Sequence, residues 1–349
     1  MTSVSSQQPV SQPAVPASQG KERLVWIDGE LLPQSEAKVS VFDHGFLYGD
    51  GVFEGIRVYN GTIFKCQSHL DRIYRNAEAI HMFRQGGGDT DKLGRRGRGF
   101  PYTKDEMRQI MEQCVEANGI KDGYIRLIFS RGKGTLGLNP FQCQRPAVVC
   151  IADTISLYPD ELYANGMKVI VAQRPRTPTE CLDPRLKSLN YLNNILAKVE
   201  AMDATPEDAP ITETVLEAIM LSVDGYVGEC TGDNLFIVKG GELFTSPVPV
   251  GMLDGITRQF VIDRLVPDCG LTITEKKLKL EDVLDADEIF LTGSAAEIIA
   301  VTQVGQKTGT GDGPSAYSYT QISDGEGDIT RTLRAKFRDI VTSEDIPTD

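Results

Sequence analysis

No apolar run in this sequence approaches the roughly 20 residues that a membrane-spanning helix requires, so no transmembrane segment is predicted. Histidine is also scarce, and His44, His69 and His81 have no metal-ligand spacing with one another or with cysteine. The seven cysteines are an odd number and form no C-x-x-C pair, which favours reduced thiols in a cytosolic setting over a disulfide framework. We therefore expect no metal centre, and we interpret His69 as a structural residue that opens a helix.

Basic residues are fewer than acidic residues in this sequence. The 36 Lys and Arg residues are outnumbered by 49 Asp and Glu, and the formal charge of −13 argues against binding to nucleic acid. The balance fits a soluble cytoplasmic enzyme, and 349 residues are enough for two domains. Residues 1–22 are rich in Ser, Gln and Pro and lack the apolar core of a signal peptide, so a disordered tail is predicted.

Turn dipeptides between apolar segments predict several β-hairpins. Because the strands are grouped in meanders and do not alternate regularly with helices, the expected class is α+β. A linker near residues 156–166 is predicted to divide a small N-terminal α+β domain, 23–158, from a larger C-terminal domain, 159–349. The turn dipeptides are Asp28-Gly29, Asn60-Gly61, Asp224-Gly225 and Gly240-Gly241.

Helical patterns lie between these strands. One helix is predicted over about 69–83, followed by a Gly/Arg-rich surface insertion at about 85–99. Thr103 and Glu106 have the spacing of a capping box that opens the next helix. A further helix is predicted to carry Lys187, with an apolar stripe formed by Leu189, Leu192, Leu196 and Val199.

The segment 132–137 matches the dinucleotide-binding pattern G-x-G-x-x-G and follows a predicted strand. Pro140 comes directly afterwards and would prevent the helix that such a site requires. We therefore expect a loop here and no nicotinamide site.

The segment from Glu229 to Arg258 contains E-C-T-G-D-N-L-F, then L-F-T after six residues, then L-D-G-I-T-R after seven more. This pattern resembles the signature of the class-IV pyridoxal-phosphate aminotransferases, in particular the branched-chain-amino-acid aminotransferase family. The resemblance extends over about 25–299 and includes, in the family's order, FLYGDGVFEGIRVY, HLDRIYRNAEAI, GYIRLIFSRG, KSLNYLNN and TGSAAEI. It implies the two-domain fold-type IV architecture of D-amino-acid aminotransferase-like enzymes, pyridoxal 5′-phosphate as cofactor, and a homodimer in which a loop of one subunit reaches the other's site.

The resemblance also assigns residues to the cofactor. Lys187 would bind the cofactor aldehyde as a Schiff base and act as general acid–base, while Glu229 would keep the pyridine nitrogen protonated. The Ile256 and Thr257 amides precede an amphipathic helix, so they are also expected on physical grounds to bind an anion, here the phosphate. The remaining cofactor contacts implied are Arg72 and Ser294 at the phosphate, Tyr191 at the ring oxygen and Leu253 under the ring.

For the substrate, the resemblance implies an apolar side-chain pocket walled by Tyr48, Phe53 and Tyr124. The guanidinium of Arg126 beside this pocket could meet the side-chain carboxylate of glutamate or 2-oxoglutarate. The Ala295 amide would help to bind the substrate carboxylate. The implied reaction moves the amino group of L-leucine, L-isoleucine or L-valine to 2-oxoglutarate.

Two alternatives stay open. The short K-S-L-N-Y spacing is also similar to that of the D-amino-acid transaminases and aminodeoxychorismate lyases of the same family, although the Arg-x-His expected of D-specific enzymes is missing after GYIRLIFS. A noncatalytic binding protein on this fold would be expected to lose Lys187 or Glu229, and both are present.

Overall fold

The computed structural model describes residues 22–83, 100–143, 145–155, 158–311 and 313–349. The predicted N-terminal tail, apart from Glu22, and the predicted insertion at 85–99 lie outside the described residues. The strands form two sheets, one built from residues up to Asp153 and the other from residues after Gly166. This agrees with the expected α+β class; the exact domain division at residue 158 stays a prediction.

The first sheet has six strands in the order β2-β1-β6-β5-β3-β4, and all of its pairs are antiparallel. Two helices, α2 (Cys66–Ala79) and α3 (Lys104–Ala117), cover one face and enclose an apolar core with it. The predicted hairpins at Asp28-Gly29 and Asn60-Gly61 are confirmed, and all four turn residues have the positive φ expected of such turns. The strands are β1 (Leu24–Ile27), β2 (Glu30–Pro33), β3 (Gly51–Tyr59), β4 (Thr62–Ile63), β5 (Gly123–Ser130) and β6 (Ala147–Asp153).

The second sheet has nine strands in the order β12-β11-β10-β13-β14-β7-β8-β9, with β15 paired to β14. It mixes antiparallel pairs with the parallel pairs β14–β7, β7–β8 and β11–β12. The predicted meander through this half is therefore wrong at one point: β9 and β10 follow each other in the chain but lie at different places in the sheet order. The strands are β7 (Met167–Val171), β8 (Val215–Leu221), β9 (Val227–Cys230), β10 (Asn234–Lys239), β11 (Glu242–Thr245), β12 (Ile273–Glu275), β13 (Glu288–Gly293), β14 (Glu297–Lys307) and β15 (Tyr317–Gln321).

Helices pack around this sheet. The predicted linker contains a short helix, α4 (Asp160–Asn165), rather than irregular chain alone. The amphipathic segment after Gly255 is a continuous helical stretch that passes through one π-helical turn at Val261–Leu265. The helices are α5 (Leu192–Asp203), α6 (Ile256–Phe260), α7 (Val266–Asp268), α8 (Leu280–Leu284), α9 (Asp328–Val341) and, in the first half, α1 (His44–Tyr48).

Three local predictions can be compared with these bounds. The capping box of Thr103 and Glu106 is confirmed at the start of α3. His69 does not open a helix, because α2 begins three residues earlier and the imidazole is buried within it. The segment 132–137 is a loop with Gly132 at φ +86°, and it leads through a short 3₁₀ turn (Pro140–Gln142) into β6 without an intervening α-helix.

The predicted helix through Lys187 is wrong. Helix α5 begins only at Leu192, and the residues before it form turns and bends that touch β3 through one isolated bridge, Val52 with Ser188. The Phe53 amide donates to the Lys187 carbonyl at 2.9 Å, and the Leu189 amide donates to the Gly51 carbonyl at 2.9 Å. The stripe residues Leu192, Leu196 and Val199 are exposed and do not pack into a core.

Candidate active site

A cavity of about 430 Å³ lies where the two sheets meet, a size typical of small-molecule sites. Its walls come from β3 and β5 on one side and from β13, α6 and the Lys187 segment on the other. Eleven of the thirteen predicted site residues line it, namely Phe53, Arg72, Tyr124, Arg126, Lys187, Tyr191, Leu253, Ile256, Thr257, Ser294 and Ala295.

The Lys187 amine projects into this cavity from the irregular segment that is hydrogen-bonded to β3. Its Nζ donates to the Tyr191 hydroxyl at 3.1 Å and lies 4.7 Å from the centroid of the Phe53 ring. Because the backbone on both sides of the lysine is hydrogen-bonded to β3, the amine is held in place by the first sheet although it faces groups of the second. A fixed amine between two aromatic rings is suited to nucleophilic and acid–base chemistry.

Arg72 reaches the cavity from α2 and is held by a carboxylate that sequence reasoning missed. Glu54, on the core face of β3, accepts from Arg72 Nε at 2.7 Å and from Arg72 Nη2 at 2.8 Å, and its Oε2 lies 2.8 Å from His69 Nδ1. Burial alone would raise the pKa of Glu54, but Arg72 and His69 hold it well below its usual range. Burial lowers the pKa of His69, whose Nδ1 faces the Glu54 carboxylate. The apolar pattern along β3 gave no signal that a charged Glu54 occupies a core position.

The N-terminus of α6 borders the same region as Arg72. Its first-turn amides, Ile256 and Thr257, have no intrahelical acceptor, as at any helix N-terminus. Gly255 caps this helix, and a Cβ there would lie 1.9 Å from Asn234 Oδ1, so glycine is needed for the close approach. A guanidinium and two free amides beside one cavity wall fit a phosphate group.

Glu229 does not line the cavity but lies directly behind its wall. One carboxylate oxygen accepts from Arg176 Nε at 2.7 Å, and the other accepts from the Leu253 amide at 3.1 Å. The neighbouring Asn234 Nδ2 is 3.5 Å from the same second oxygen. Arg176 was not predicted, because an arginine 53 residues away in sequence gives no local indication that it pairs with Glu229.

A second acidic group, also not predicted, does line the cavity. Asp233 stands at the turn after β9, close to Gly293, with Glu217 and Lys198 nearby. Burial, and then the charge of Glu217, raises the pKa of Asp233 to about 7. Glu217 itself accepts from Lys198 Nζ at 3.2 Å and from the Thr231 amide at 2.8 Å.

The opposite wall is a flat aromatic and cationic surface on the first sheet. In the β3–β5 register Gly55 faces Arg126 and Arg57 faces Tyr124, so alternate residues of both strands project from the same face. The Arg126 guanidinium carbon lies 4.7 Å from the Phe53 ring centroid and 5.6 Å from that of Tyr124. Arg126 Nε is buried and has no hydrogen-bond partner among the described residues. The Tyr124 hydroxyl fills the space that a side chain at Gly55 would take.

Tyr48 is the other predicted residue that the cavity does not contain. It ends α1 on the surface, and its hydroxyl donates to the Leu136 carbonyl. Phe46 of the same helix and Leu138 are also exposed apolar side chains. Within one chain, therefore, Tyr48 cannot form a wall of the pocket that Phe53 and Tyr124 line.

Two absences concern only the part of the chain that the structure describes. There, no group of three or more His, Cys, Asp or Glu side chains is arranged to hold a metal ion. In the same residues, no helix is long and apolar enough to cross a membrane.

Comparison with known proteins gives a consistent result. The model of the family described as amino-transferase class IV matches residues 51–304. The chain is 40% identical over 318 residues to a putative branched-chain-amino-acid aminotransferase of Methanocaldococcus jannaschii, covering 91% of this chain and 96% of that protein. It is also 32% identical over 288 residues to a D-alanine aminotransferase of Bacillus licheniformis, covering 82% and 90%.

Among solved structures, a branched-chain amino acid aminotransferase from T.th. with pyridoxamine 5′-phosphate superimposes with a TM-score of 0.77 at 30% identity. The match covers 93% of this chain and 95% of that one. The cavity described above therefore lies in a fold that, in that solved structure, holds pyridoxamine 5′-phosphate.

Proposed function

Because the chain belongs to the class IV aminotransferases, we propose that it transfers the amino group of L-leucine, L-isoleucine or L-valine to 2-oxoglutarate. The chain is an enzyme, a pyridoxal-phosphate-dependent transaminase. The observation that carries the substrate proposal is the wall opposite Lys187, where Arg126 lies against two aromatic rings. One surface thus offers both apolar contact and a positive charge.

Pyridoxal 5′-phosphate, when bound, supplies a ring that accepts the electrons left on the substrate carbon after proton loss. Arg72 and the Ile256 and Thr257 amides would hold its phosphate, with Ser294 beside them. Glu229 would face the pyridine nitrogen from behind the wall. Its contacts with Arg176 Nε and the Leu253 amide fix the orientation of the carboxylate.

Lys187 would move the proton. Its Nζ would take the proton from the substrate Cα and hold it close to the reacting atoms until it is returned. The hydrogen bond with Tyr191 and the ring of Phe53 restrict the amine to the region where this transfer takes place. Leu253 and Phe53 line the cavity and would exclude water from the reacting atoms.

The two substrates differ in their side chains, and the wall of the first sheet would accept both. A branched aliphatic chain packs on Phe53 and Tyr124, whereas the distal carboxylate of 2-oxoglutarate pairs with the Arg126 guanidinium. Arg126 Nε supports this proposal, because it is a buried donor that has no acceptor among the described residues. Both substrates share the carboxylate next to the reacting carbon, which would bind at Ser294 and Ala295.

The first experiment tests the cofactor site. Purified protein should show the visible absorption of lysine-bound pyridoxal phosphate, and Lys187→Ala should lack it and lose turnover. Lys168→Ala is the matched control, since that lysine pairs with Glu213 away from the cavity. If Lys187→Ala kept normal turnover, the central assignment would be wrong.

The second experiment is a panel of amino donors assayed with 2-oxoglutarate. L-leucine, L-isoleucine and L-valine should be accepted in preference to D-alanine. A preference for D-alanine would support a D-amino-acid transaminase instead, an alternative that the Bacillus licheniformis relative keeps open. Release of pyruvate from aminodeoxychorismate would support the lyase.

We also propose that the enzyme is a homodimer in the cytoplasm. Exposed apolar side chains on two neighbouring helices support the dimer. Helix α1 carries Phe46 and Tyr48, and α5 carries further exposed apolar residues. The two helices are adjacent where Gly49, after α1, lies against Asn190, before α5. In the dimer Tyr48 would line the site of the other subunit. All seven cysteines are free thiols, which fits the cytoplasm. Sedimentation equilibrium should give twice the chain mass of 38.3 kDa, and a monomer would contradict the dimer.

A further inference from the structure

Glu297 combines features that are rarely found together. It is buried, it begins β14, and its backbone has φ +60°, a left-handed conformation that side chains other than glycine seldom adopt. It pairs with Gly293 across the 293–296 turn, which contains Ser294 and Ala295. Backbone strain of this kind persists only where surrounding contacts impose it, and it is concentrated at functional sites.

The contacts that impose it come from both halves of the molecule. The Tyr59 hydroxyl donates to Glu297 Oε1 at 2.8 Å, and Arg57 Nη2 lies 3.2 Å from the same oxygen. Arg338 of α9 approaches Oε2 at 2.8 Å. Two guanidinium groups and a phenol thus meet one carboxylate that is 3% exposed, an arrangement that only a negative charge satisfies.

The rest of the turn is fixed independently. The Tyr163 hydroxyl donates to the Ala296 carbonyl at 3.0 Å, and Asp233 occupies the space beside Gly293. Ser294 and Ala295, with Gly293 before them, line the cavity. Glu297 therefore determines where their backbone groups lie relative to the first sheet.

Arg57 and Tyr59 lie on β3, the strand that also carries Phe53 and Gly55 of the aromatic wall. The carboxylate of Glu297 thereby connects that wall with the turn across the cavity. We propose that Glu297 is a positioning residue that sets the distance between the substrate's side-chain wall and the turn that binds its carboxylate. This inference rests on the proposed function in placing the substrate carboxylate at Ser294 and Ala295.

The test compares Glu297→Gln with the wild-type holoenzyme. Glutamine keeps the size and one acceptor for Tyr59 but removes the charge that the two arginines require. We expect KM to rise about tenfold for both the amino donor and the 2-oxo acid, because both carry the same carboxylate, with kcat changed by less than about threefold. The visible absorption of bound pyridoxal phosphate should be retained, because Lys187, Arg72 and the α6 amides are not among the groups that contact Glu297.

Binding without turnover gives a second readout. The dissociation constant of 4-methylvalerate, a carboxylate with a branched chain and no amino group, should also rise about tenfold by calorimetry. Arg338→Met provides a variant that preserves the fold, since this arginine is half-exposed and its replacement removes only one of the three contacts. We expect a smaller rise in the dissociation constant for Arg338→Met than for Glu297→Gln. Arg338→Lys should restore most of the affinity. Tyr59→Phe should likewise give a smaller rise than Glu297→Gln.

Two results would overturn the proposal. One is an unchanged KM together with an unchanged 4-methylvalerate affinity in Glu297→Gln. The other is a loss of visible absorption and kcat together with a rise in KM, equal in size in Glu297→Gln, Arg338→Met and Arg338→Lys. Failure of the proposed function is recognised separately, in the wild type. If the wild type prefers another amino donor, the ratio of KM in Glu297→Gln to KM in the wild type is measured with that donor, because its carboxylate would bind at the same turn.

Discussion

Replacing Glu54 by glutamine should destabilise the first sheet by several kcal/mol. Glu54 is fully buried and accepts from three N–H donors, two on Arg72 and one on His69. Glutamine has one acceptor oxygen, and its amide group would face a donor while, in the cofactor-free protein, the buried Arg72 charge loses the carboxylate that pairs with it. Breaking a buried ion pair in this way costs about 3–5 kcal/mol, a large part of the roughly 5–15 kcal/mol that stabilises a typical domain.

The pH dependence of this effect has a definite sign. Because the folded protein holds the pKa of Glu54 well below 4.5, its contribution is present above the unfolded value and is lost as pH falls through the folded value. The difference in unfolding free energy between the wild type and Glu54→Gln should not decrease between pH 8 and pH 5, because the Glu54 carboxylate stays charged over this range. It should shrink only in more acidic solution.

Urea unfolding followed by tryptophan fluorescence is the assay. Trp26 is the only tryptophan in the sequence and is buried in β1, so the signal reports on the sheet that contains Glu54. Asp153→Asn is the matched control, because it breaks the partly exposed pair with Arg23 in the same sheet and should cost less than about 1 kcal/mol. A Glu54→Gln protein within about 1 kcal/mol of the wild type would refute the reasoning.

Two further predictions concern the cavity. Ionising Asp233 is unfavourable in the folded protein, so the free energy of unfolding should fall as pH rises from 3.8 through about 7. The free energy of unfolding of cofactor-free Asp233→Asn should therefore exceed that of the wild type at pH 8 by up to about 4 kcal/mol. Thermal unfolding at pH 5 and pH 8 would contradict this if the variant's advantage were the same at both. Gly55→Ala should raise KM for leucine about tenfold and spare the visible absorption, because its Cβ would lie 1.6 Å from the Tyr124 hydroxyl and displace that ring. Gly137→Ala, which has room for a methyl group, is the control, and equal KM values in the two variants would count against this role of Tyr124.

Local chemistry made much of the fold predictable. Hairpins at Asn60-Gly61 and Gly240-Gly241 follow from residues that tolerate positive φ, and the capping box at Thr103 satisfies the amides of its own helix. Such features depend on a few adjacent residues. The resemblance to a family then gave most of the cavity residues, because their motifs are contiguous in sequence.

The wrong and missing predictions share a physical cause, which is pairing over long sequence distances. Apolar spacing after Lys187 suggested a helix, but the backbone there is hydrogen-bonded to β3, more than a hundred residues earlier. Leu192, Leu196 and Val199 of the same stripe are exposed, so their periodicity reflects a surface and not a core. Glu54 and Arg176 were missed for the same reason, since their importance comes from partners on other elements.

The attachment of Lys187 to β3 has an evolutionary consequence. The lysine is encoded in the second half of the sequence, yet its backbone position depends on the carbonyl of Gly51 and the amide of Phe53 in the first half. Neither half is therefore a self-sufficient module that recombination between relatives could exchange freely. A transplanted first half would have to present the same two backbone groups at the same place, or the reactive amine would be displaced from its own cavity.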